Sequence, residues 1–157
     1  QGTADEIVLA WPNAILEKDW CAAGSTLTTL WLGDIGHLAA GVYKYQPHGH
    51  RLAVVAQEDK RRELAVAALN QGWMQNSAAL LIFAGVEQRI TWKYGQRGVR
   101  YLHMEAGHAA QNVFLQAVAL SLGAAVVGAF DDKLVQQVLQ MPEDEHALYL
   151  MPVGRQR

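Results

Sequence analysis

The sequence feature that most constrains the fold is a helical pattern between Met104 and Leu122. Apolar and small residues recur on one side of this segment at helical spacing, and a second apolar side adjoins it. A helix that is apolar on two sides is expected to be buried, and its alanines and glycines let another helix approach closely. We therefore predict a long buried central helix over about 103–122, ended by Gly123 and placed at a dimer interface. The first side comprises Ala106, Ala110, Val113, Ala117 and Leu120, and the second comprises Gly107, Phe114 and Val118.

Shorter patterns predict the elements around this helix. A β-hairpin comes first, a fully apolar strand follows, and helices occupy much of the second half, which indicates an α+β fold. We expect a single domain over residues 1–157, with 1–26 as an atypical N-terminal segment. The predicted strands are 27–32, 41–45, 51–56, 78–86, 124–127 and 147–153, the shorter helices are 59–70 (N-cap Asp59) and one capped by Asp131 or Asp132, and 87–101 and 142–145 are predicted as a loop and an exposed turn.

Composition narrows the classes of function. The 157 residues are 51% apolar and 18% charged, with a formal net charge of −2, so no basic field attracts nucleic acid. No apolar stretch is long enough to predict a membrane-spanning helix. The lone Cys21 can form no intramolecular disulfide, which is compatible with a reducing compartment. We therefore expect a cytoplasmic protein that binds neither nucleic acid nor membrane.

Two short segments are candidates for chemistry, and each has an ordinary structural alternative. Lys93 and Tyr94 lie in a glycine-flanked stretch, where a lysine beside aromatic rings and a tyrosine can transfer protons. The alternative is a surface lysine with the tyrosine packed beneath it. Val127 and Gly128 end a buried strand, where a glycine lets a flat ring lie against the backbone. The alternative is a turn glycine before a capped helix, and the residues alone leave both pairs open.

The sequence gives little indication of a metal site, of a nucleotide-binding motif or of a catalytic nucleophile. Glu105 and His108 have the spacing of half a carboxylate-bridged di-iron site, but the sequence lacks the second such pair. It also lacks a phosphate-binding loop, a dinucleotide fingerprint, paired zinc-ligand spacing and a serine nucleophile elbow. Cys21 with a distant histidine is a weak candidate for thiol catalysis. We expect no metal.

Six short segments agree in order and spacing with one known family. They are 41–45, 91–95, 105–112, 122–123, 127–132 and 148–154, and together they extend over roughly residues 33–154. In this series they resemble the flavin-dependent nitroreductase-like superfamily. The branch that they resemble is the SagB-type dehydrogenases, which includes the azoline oxidases of thiazole/oxazole-modified peptide biosynthesis.

The resemblance implies an α+β fold with a central mixed, mainly antiparallel sheet flanked by helices. It also implies an intertwined homodimer with FMN at the interface and hydride transfer through the flavin N5. NAD(P)H is the implied candidate electron donor, and a small molecule or a peptide azoline is the implied substrate. The matching positions are Lys93 and Tyr94 for proton transfer, Val127, Gly128 and Ala129 against the isoalloxazine ring, and Arg155 and Arg157 near the FMN phosphate.

The N-terminal part departs from the family pattern. Relatives begin with an Arg-rich helix start that holds the FMN phosphate, and this motif is missing here. Relatives also carry a P-S-A-G-x-x-Y-P loop, of which only residues 22–25 remain. Losing two charge-assisted hydrogen bonds to the phosphate would weaken FMN binding by about 3–6 kcal/mol. The alternative to an FMN oxidoreductase is therefore a non-catalytic, flavin-free dimeric remnant that acts as a binding or scaffold protein.

Overall fold

The structure is a computed structural model that describes residues 38–46 and 51–155 in full and residues 26–32 in their backbone. In these ranges the chain forms a six-stranded sheet of order β3-β2-β1-β4-β6-β5 with helices on both faces, which confirms the α+β prediction. All of these strand pairs are antiparallel, so no parallel pair is seen here. The elements are β1 Thr26–Leu32, β2 Gly41–Gln46, β3 Arg51–Ala56, α1 Arg61–Ala67, a 3-10 helix Gly72–Asn76, β4 Ala79–Gly85, α2 Gln88–Tyr94, α3 Arg97–Ala119, β5 Gly123–Ala124, α4 Asp132–Val138 and β6 His146–Gly154.

Strand β4 lies at the centre of the sheet between β1 and β6, and all seven of its residues are buried. Because side chains alternate across a strand, β4 supplies two separate cores. Leu81 and Phe83 pack on the side of α3, whereas Leu80 and Ile82 pack on the side of α1 and α4. The continuous apolar run in the sequence therefore predicted this strand correctly.

Helix α1 is shorter than predicted and begins differently. It covers Arg61–Ala67, its N-cap is Lys60, and no side chain caps it, so the prediction of Asp59 as N-cap is wrong. The Asp59 carboxylate instead binds the Arg61 side chain, with a contact of 2.7 Å to Nη2. The helix ends early because Leu69 and Asn70 both adopt positive φ angles, of 56° and 62°. These left-handed residues end α1 before Gly72 is reached.

The predicted loop 87–101 is wrong, because α2 and the first turn of α3 occupy it. Gly95, with a φ of 56°, separates the two helices. The long helix accordingly runs over 97–119 and not over about 103–122. At its other end Ser121 takes a positive φ of 57°, while Gly123 lies in β5 and does not close the helix. The loop prediction failed because this segment is polar, whereas its helical state depends on close packing of α3 against α2 at the buried Gly98.

Helix α3 buries only one of its two apolar sides within the single chain. Ala106, Ala110 and Val113 are buried against the sheet, as predicted. On the second predicted side, Phe114 is half-buried against the core, but Val118 is 74% exposed, and the neighbouring Leu115 is 61% exposed. The prediction of a helix buried all round is thus not met by one chain, and an apolar surface remains open along α3.

The predicted exposed turn 142–145 is wrong at its last residue. Glu145 is only 1% exposed, and its carboxylate binds the Lys44 ammonium across the sheet. Its other carboxylate oxygen, Oε1, has no hydrogen-bond partner among the described residues. The tertiary fold buries this residue beneath β2, which a local pattern of acidic residues cannot reveal. In the described ranges, no helix is long and apolar enough to cross a membrane.

Candidate functional site

The segment that follows α3 forms the edge of the sheet beside β6. Its first two residues are β5, and the ladder continues irregularly beyond them. The Ala125 N–H donates to the Pro152 carbonyl at 3.1 Å, and the Val127 N–H donates to the Leu150 carbonyl at 2.8 Å. The Leu150 N–H returns a bond of 3.0 Å to Val127. Residues 123–127 therefore run as an extended edge strand.

This edge strand presents backbone donors to the outside of the sheet. Because alternate residues of an extended strand point their N–H groups to opposite sides, Val126 and Gly128 direct theirs away from β6. Gly128 is exposed, and a Cβ added to it would meet only the Tyr149 ring, at 3.8 Å. Val126 is exposed as well. A flat heteroaromatic ring with hydrogen-bond acceptors, such as the isoalloxazine of FMN, fits this surface.

The loop beyond the edge strand is fixed to two helices. The Asp131 N–H donates to the Ala67 carbonyl at the end of α1, at 2.8 Å. The Asp131 carboxylate accepts from the Leu134 N–H at 2.9 Å and so caps α4, which confirms Asp131 as one of the two predicted caps. The Gln71 side-chain amide reaches the Ala129 carbonyl at 3.4 Å. These bonds hold Ala129 in place from both sides.

Arg155 follows β6 and borders a cleft of about 350 Å³ at the end of the sheet. Trp73, Asn76, Ser77 and residues 123–125 also line this cleft. Arg155 lies five residues beyond Leu150, hence about 17 Å along β6 from the Val127 pair. A phosphate fits beside this guanidinium, but only an extended ligand could touch both places. Arg157 lies outside the described residues.

Lys93 and Tyr94 lie at the end of α2, where they form part of an aromatic and cationic cluster. The Lys93 ammonium is 5.2 Å from the centre of the Tyr94 ring, within the range of a cation–π contact. The Tyr94 and Tyr101 rings meet edge to face at 5.3 Å. The Arg97 guanidinium lies 5.9 Å from the Tyr101 ring. The sequence did not indicate Arg97 and Tyr101 as site residues. Residues 87–101 were predicted as a loop, and side chains at i and i+4 lie close together only when the segment is helical.

Helix α3 separates the two groups of predicted site residues. Lys93 and Tyr94 precede its first turn, whereas Val127, Gly128 and Ala129 follow its last. Its 23 residues rise about 1.5 Å each, so its ends are about 33 Å apart. Along the chain, the whole of α3 thus lies between Lys93–Tyr94 and Val127–Ala129.

Comparison with known proteins identifies relatives over most of the chain. Residues 22–155 match the nitroreductase family. A nitroreductase-type protein of Methanocaldococcus jannaschii is 45% identical over 122 residues, which cover 78% of this chain and 61% of that protein. The chain thus spans about three fifths of the length of this curated relative.

Solved structures agree with this match. A nitroreductase-type protein from Anabaena variabilis superposes with a TM-score of 0.85 at 31% identity, covering 97% of this chain and 32% of that one. The NADPH:FMN oxidoreductase from Vibrio harveyi, solved with NAD+, gives a TM-score of 0.68 at 21% identity and covers 99% of this chain and 61% of that one. The second likeness bears on the fold alone.

Proposed function

Since this chain belongs to the nitroreductase family, we propose that it is an FMN-dependent oxidoreductase. Its reaction would be hydride transfer through the flavin N5, with NAD(P)H as electron donor. We place it in the SagB-type branch on the strength of the Lys93–Tyr94 pair and the segments around it. With NAD(P)H as donor, the substrate is a small molecule that the reduced flavin reduces. A peptide azoline would instead donate the hydride to the flavin itself, and a separate electron acceptor would then take the place of NAD(P)H.

The observation that carries this proposal is the open edge strand with its outward amides. FMN, when bound, supplies a ring that accepts and returns a hydride. The chain's own part is to hold that ring: Val127 anchors the strand through its bonds with Leu150, and the Gly128 amide is free to donate to a ring acceptor. Gly128 also leaves the ring room to approach, since it has no side chain.

We further propose that a second copy of the chain completes the site. The proton-transfer pair precedes α3 in the chain, and the ring-binding strand follows it. Two copies with antiparallel α3 helices would bring Lys93 and Tyr94 of one chain to Val127–Ala129 of the other. A homodimer is then a requirement of the chemistry, because a proton donor must lie within hydrogen-bond reach of its acceptor.

The exposed side of α3 supports such a pairing. Three of its large apolar side chains are more than half exposed, at Met104, Leu115 and Val118. Gly107 on the same side has open space in front of it. Gln111 lies at the middle of this stripe, seven residues from Met104 and seven from Val118. A two-fold axis at Gln111 would place Met104 against Val118 of the second chain and Gly107 against its Leu115.

Absorption spectroscopy tests the flavin part of the proposal. We expect purified protein, or protein incubated with FMN, to retain a flavin band in the blue after gel filtration. Gly128→Val should abolish the band while the chain still folds, because Gly128 is exposed and a Cβ at this position meets no described atom closer than 3.8 Å. Gly72→Val, at an exposed glycine with nothing within 4 Å, is the matched control and should keep the band. Lys93→Ala should slow turnover and leave the colour intact.

The flavin-free scaffold is the second candidate, and one observation favours it. Arg155 is the single cation that borders the cleft at the end of β6 within the described residues. A phosphate dianion is normally held by several cationic or N–H donors. A colourless protein that also fails to bind added FMN would establish the scaffold and refute the enzyme.

Cross-linking tests the pairing separately. In a Cys21→Ser background, Gln111→Cys should form a disulfide-linked dimer under mild oxidation, because the two thiols would meet at the axis. Arg62→Cys, on the exposed side of α1, is the control and should stay monomeric on a non-reducing gel. If Gln111→Cys cross-links no faster than Arg62→Cys, the antiparallel register is wrong.

A further inference from the structure

The corner between α2 and α3 concentrates positive charge. Residues 88–104 contain four basic residues and no aspartate or glutamate, in a chain whose net charge is −2. The nearest acids along the chain are Glu87 and Glu105. The net charge of the whole chain does not reveal this local excess of positive charge. The basic residues come together on one surface because α2 and α3 pack against each other.

Three of these cations form no ion pair within the described ranges. Lys93, Arg97 and Arg100 are exposed and take part in no ion pair among the described residues. Other cations in the same ranges do form ion pairs. Lys44 binds Glu145, and Arg61 binds Asp59. The cations at the α2–α3 corner thus keep their hydrogen-bond donors available for a ligand.

Aromatic rings lie among these free cations. Lys93 and Arg97 contact opposite partners of the Tyr94–Tyr101 ring pair, and Arg100 lies three residues from Arg97 on the same side of α3. Trp92 beside them is 76% exposed. Guanidinium groups bind phosphate oxygens in pairs, and exposed rings stack on planar ligand rings. The combination suits a ligand that has both phosphate and an aromatic base.

We propose that Arg97, Arg100 and Tyr101 of this α2–α3 corner hold the phosphate of a nicotinamide dinucleotide electron donor, beside the proton-transfer pair Lys93 and Tyr94. The assignment of the ligand rests on the proposed function. In the antiparallel pairing the corner of one chain adjoins the ring-binding strand of the other, which is where the donor must deliver its hydride. Arg97 and Arg100 act on binding of the donor and do not touch the reacting atoms.

Isothermal titration with NADP+ tests this assignment without any turnover. We expect the affinity for NADP+ to fall about ten-fold or more in Arg97→Gln/Arg100→Gln, because two charge-assisted contacts to phosphate are lost. The affinity of wild-type protein should also fall as salt is raised. Arg62→Gln removes an exposed arginine of α1 that has no ion pair in the described ranges, and it should bind NADP+ as wild type does. The single variants Arg97→Gln and Arg100→Gln serve if the double variant does not fold.

Three outcomes would overturn the proposed phosphate site. Unchanged NADP+ affinity in the double variant, or no binding by wild type, overturns the proposal. Tighter binding of a hexaglutamate peptide than of NADP+ also overturns it, in favour of an acidic protein partner. The flavin band measured on the same samples separates the two proposals. Protein that is yellow and ignores NADP+ refutes only the corner, whereas protein that binds NADP+ and remains colourless refutes only the flavin chemistry.

Discussion

Gly98 is the residue at which α3 meets the backbone of α2, and replacing it with alanine is a direct test of how the α2–α3 corner is built. A Cβ added to Gly98 would lie 3.0 Å from the Ile90 carbonyl carbon and 3.1 Å from the Thr91 nitrogen. Both are backbone atoms, so no rotation of a side chain relieves the contact. Gly98→Ala must therefore displace α2 by a few tenths of an ångström.

The expected magnitude follows from two opposing effects. Overpacking of a buried contact costs about 1–3 kcal/mol. Alanine is more favourable than glycine inside a helix by about 1 kcal/mol. The net result for Gly98→Ala is a loss of about 0–2 kcal/mol in the free energy of unfolding. Gly72→Ala is the control, because a Cβ there meets nothing within 4 Å, and it should gain about 0.4–1 kcal/mol through the unfolded chain.

Urea unfolding followed by far-UV circular dichroism measures both variants at one protein concentration. Gly98→Ala should be the less stable of the two, and its affinity for NADP+ should fall because the first turn of α3, which carries Arg97 and Arg100, shifts against α2. If Gly98→Ala stabilises the protein as much as Gly72→Ala does, the close approach of the two helices is wrong. The geometry of the corner would then need to be reconsidered.

Three further predictions concern side-chain interactions that hold the sheet and its helices. Asp131→Ala should cost about 0.5–2 kcal/mol through loss of the α4 cap, and it should weaken flavin retention; an unchanged Tm would contradict the bond to Leu134. Lys44→Met should cost about 3–5 kcal/mol, because it leaves Glu145 as an uncompensated buried charge, whereas Lys44→Met with Glu145→Leu should be nearly neutral in urea unfolding. The hydrogen bond from Arg61 lowers the pKa of Asp59 below its usual value. The Asp59–Arg61 interaction therefore stabilises the fold fully above the pKa of Asp59 in the unfolded chain, about 3.9, and this stabilisation is lost as pH falls through the lower pKa of the folded chain. Asp59→Asn should remove this part of the loss of stability in acid. If the free energy of unfolding of Asp59→Asn depends on acid pH as the wild type does, the interaction is disproved.

Strands were predictable here because their signals are local. The apolar run of β4 and the short runs of β2, β3 and β6 give the correct elements to within one or two residues. The turn between β2 and β3 lies partly outside the described residues, at 47–50, but the antiparallel pairing of the two strands confirms the hairpin. An alternating apolar and polar pattern indicates a strand buried on one face, and a continuous apolar run indicates a strand buried on both. Each pattern is contained within a few residues.

The helices at the α2–α3 corner were not predictable in the same way. Their sequence is polar and aromatic, and its apolar positions do not form a long periodic stripe. Ile90, Gly98 and Leu102 are the buried residues that hold this corner together. These contacts join positions in different elements, and no local window contains them. Glu145 shows the same effect, since an acidic turn in the sequence becomes a buried ion pair in the fold.

In the candidate site, too, the sequence indicated the residues and the fold added their contacts. Val127 and Gly128 were recognised from their place after a buried run and from the family resemblance, and the fold adds the outward direction of the strand's amides. Lys93 and Tyr94 were recognised too, but the contact of Tyr94 with Tyr101, and of Tyr101 with Arg97, appears only in three dimensions. The flavin, the substrate and the roles of these residues remain predictions.

The sequence by itself determined the strands, the buried side of α3 and the family, because each depends on residues close together in the chain or on short motifs in a fixed order. The tertiary structure decided what surrounds them: the corner at Gly98, the burial of Glu145, and the outward direction of the amides of the edge strand. The physical reason is that packing joins residues far apart in sequence. The same reason explains the second apolar side of α3, since its pattern predicts burial and the single chain leaves it exposed for a second copy to cover.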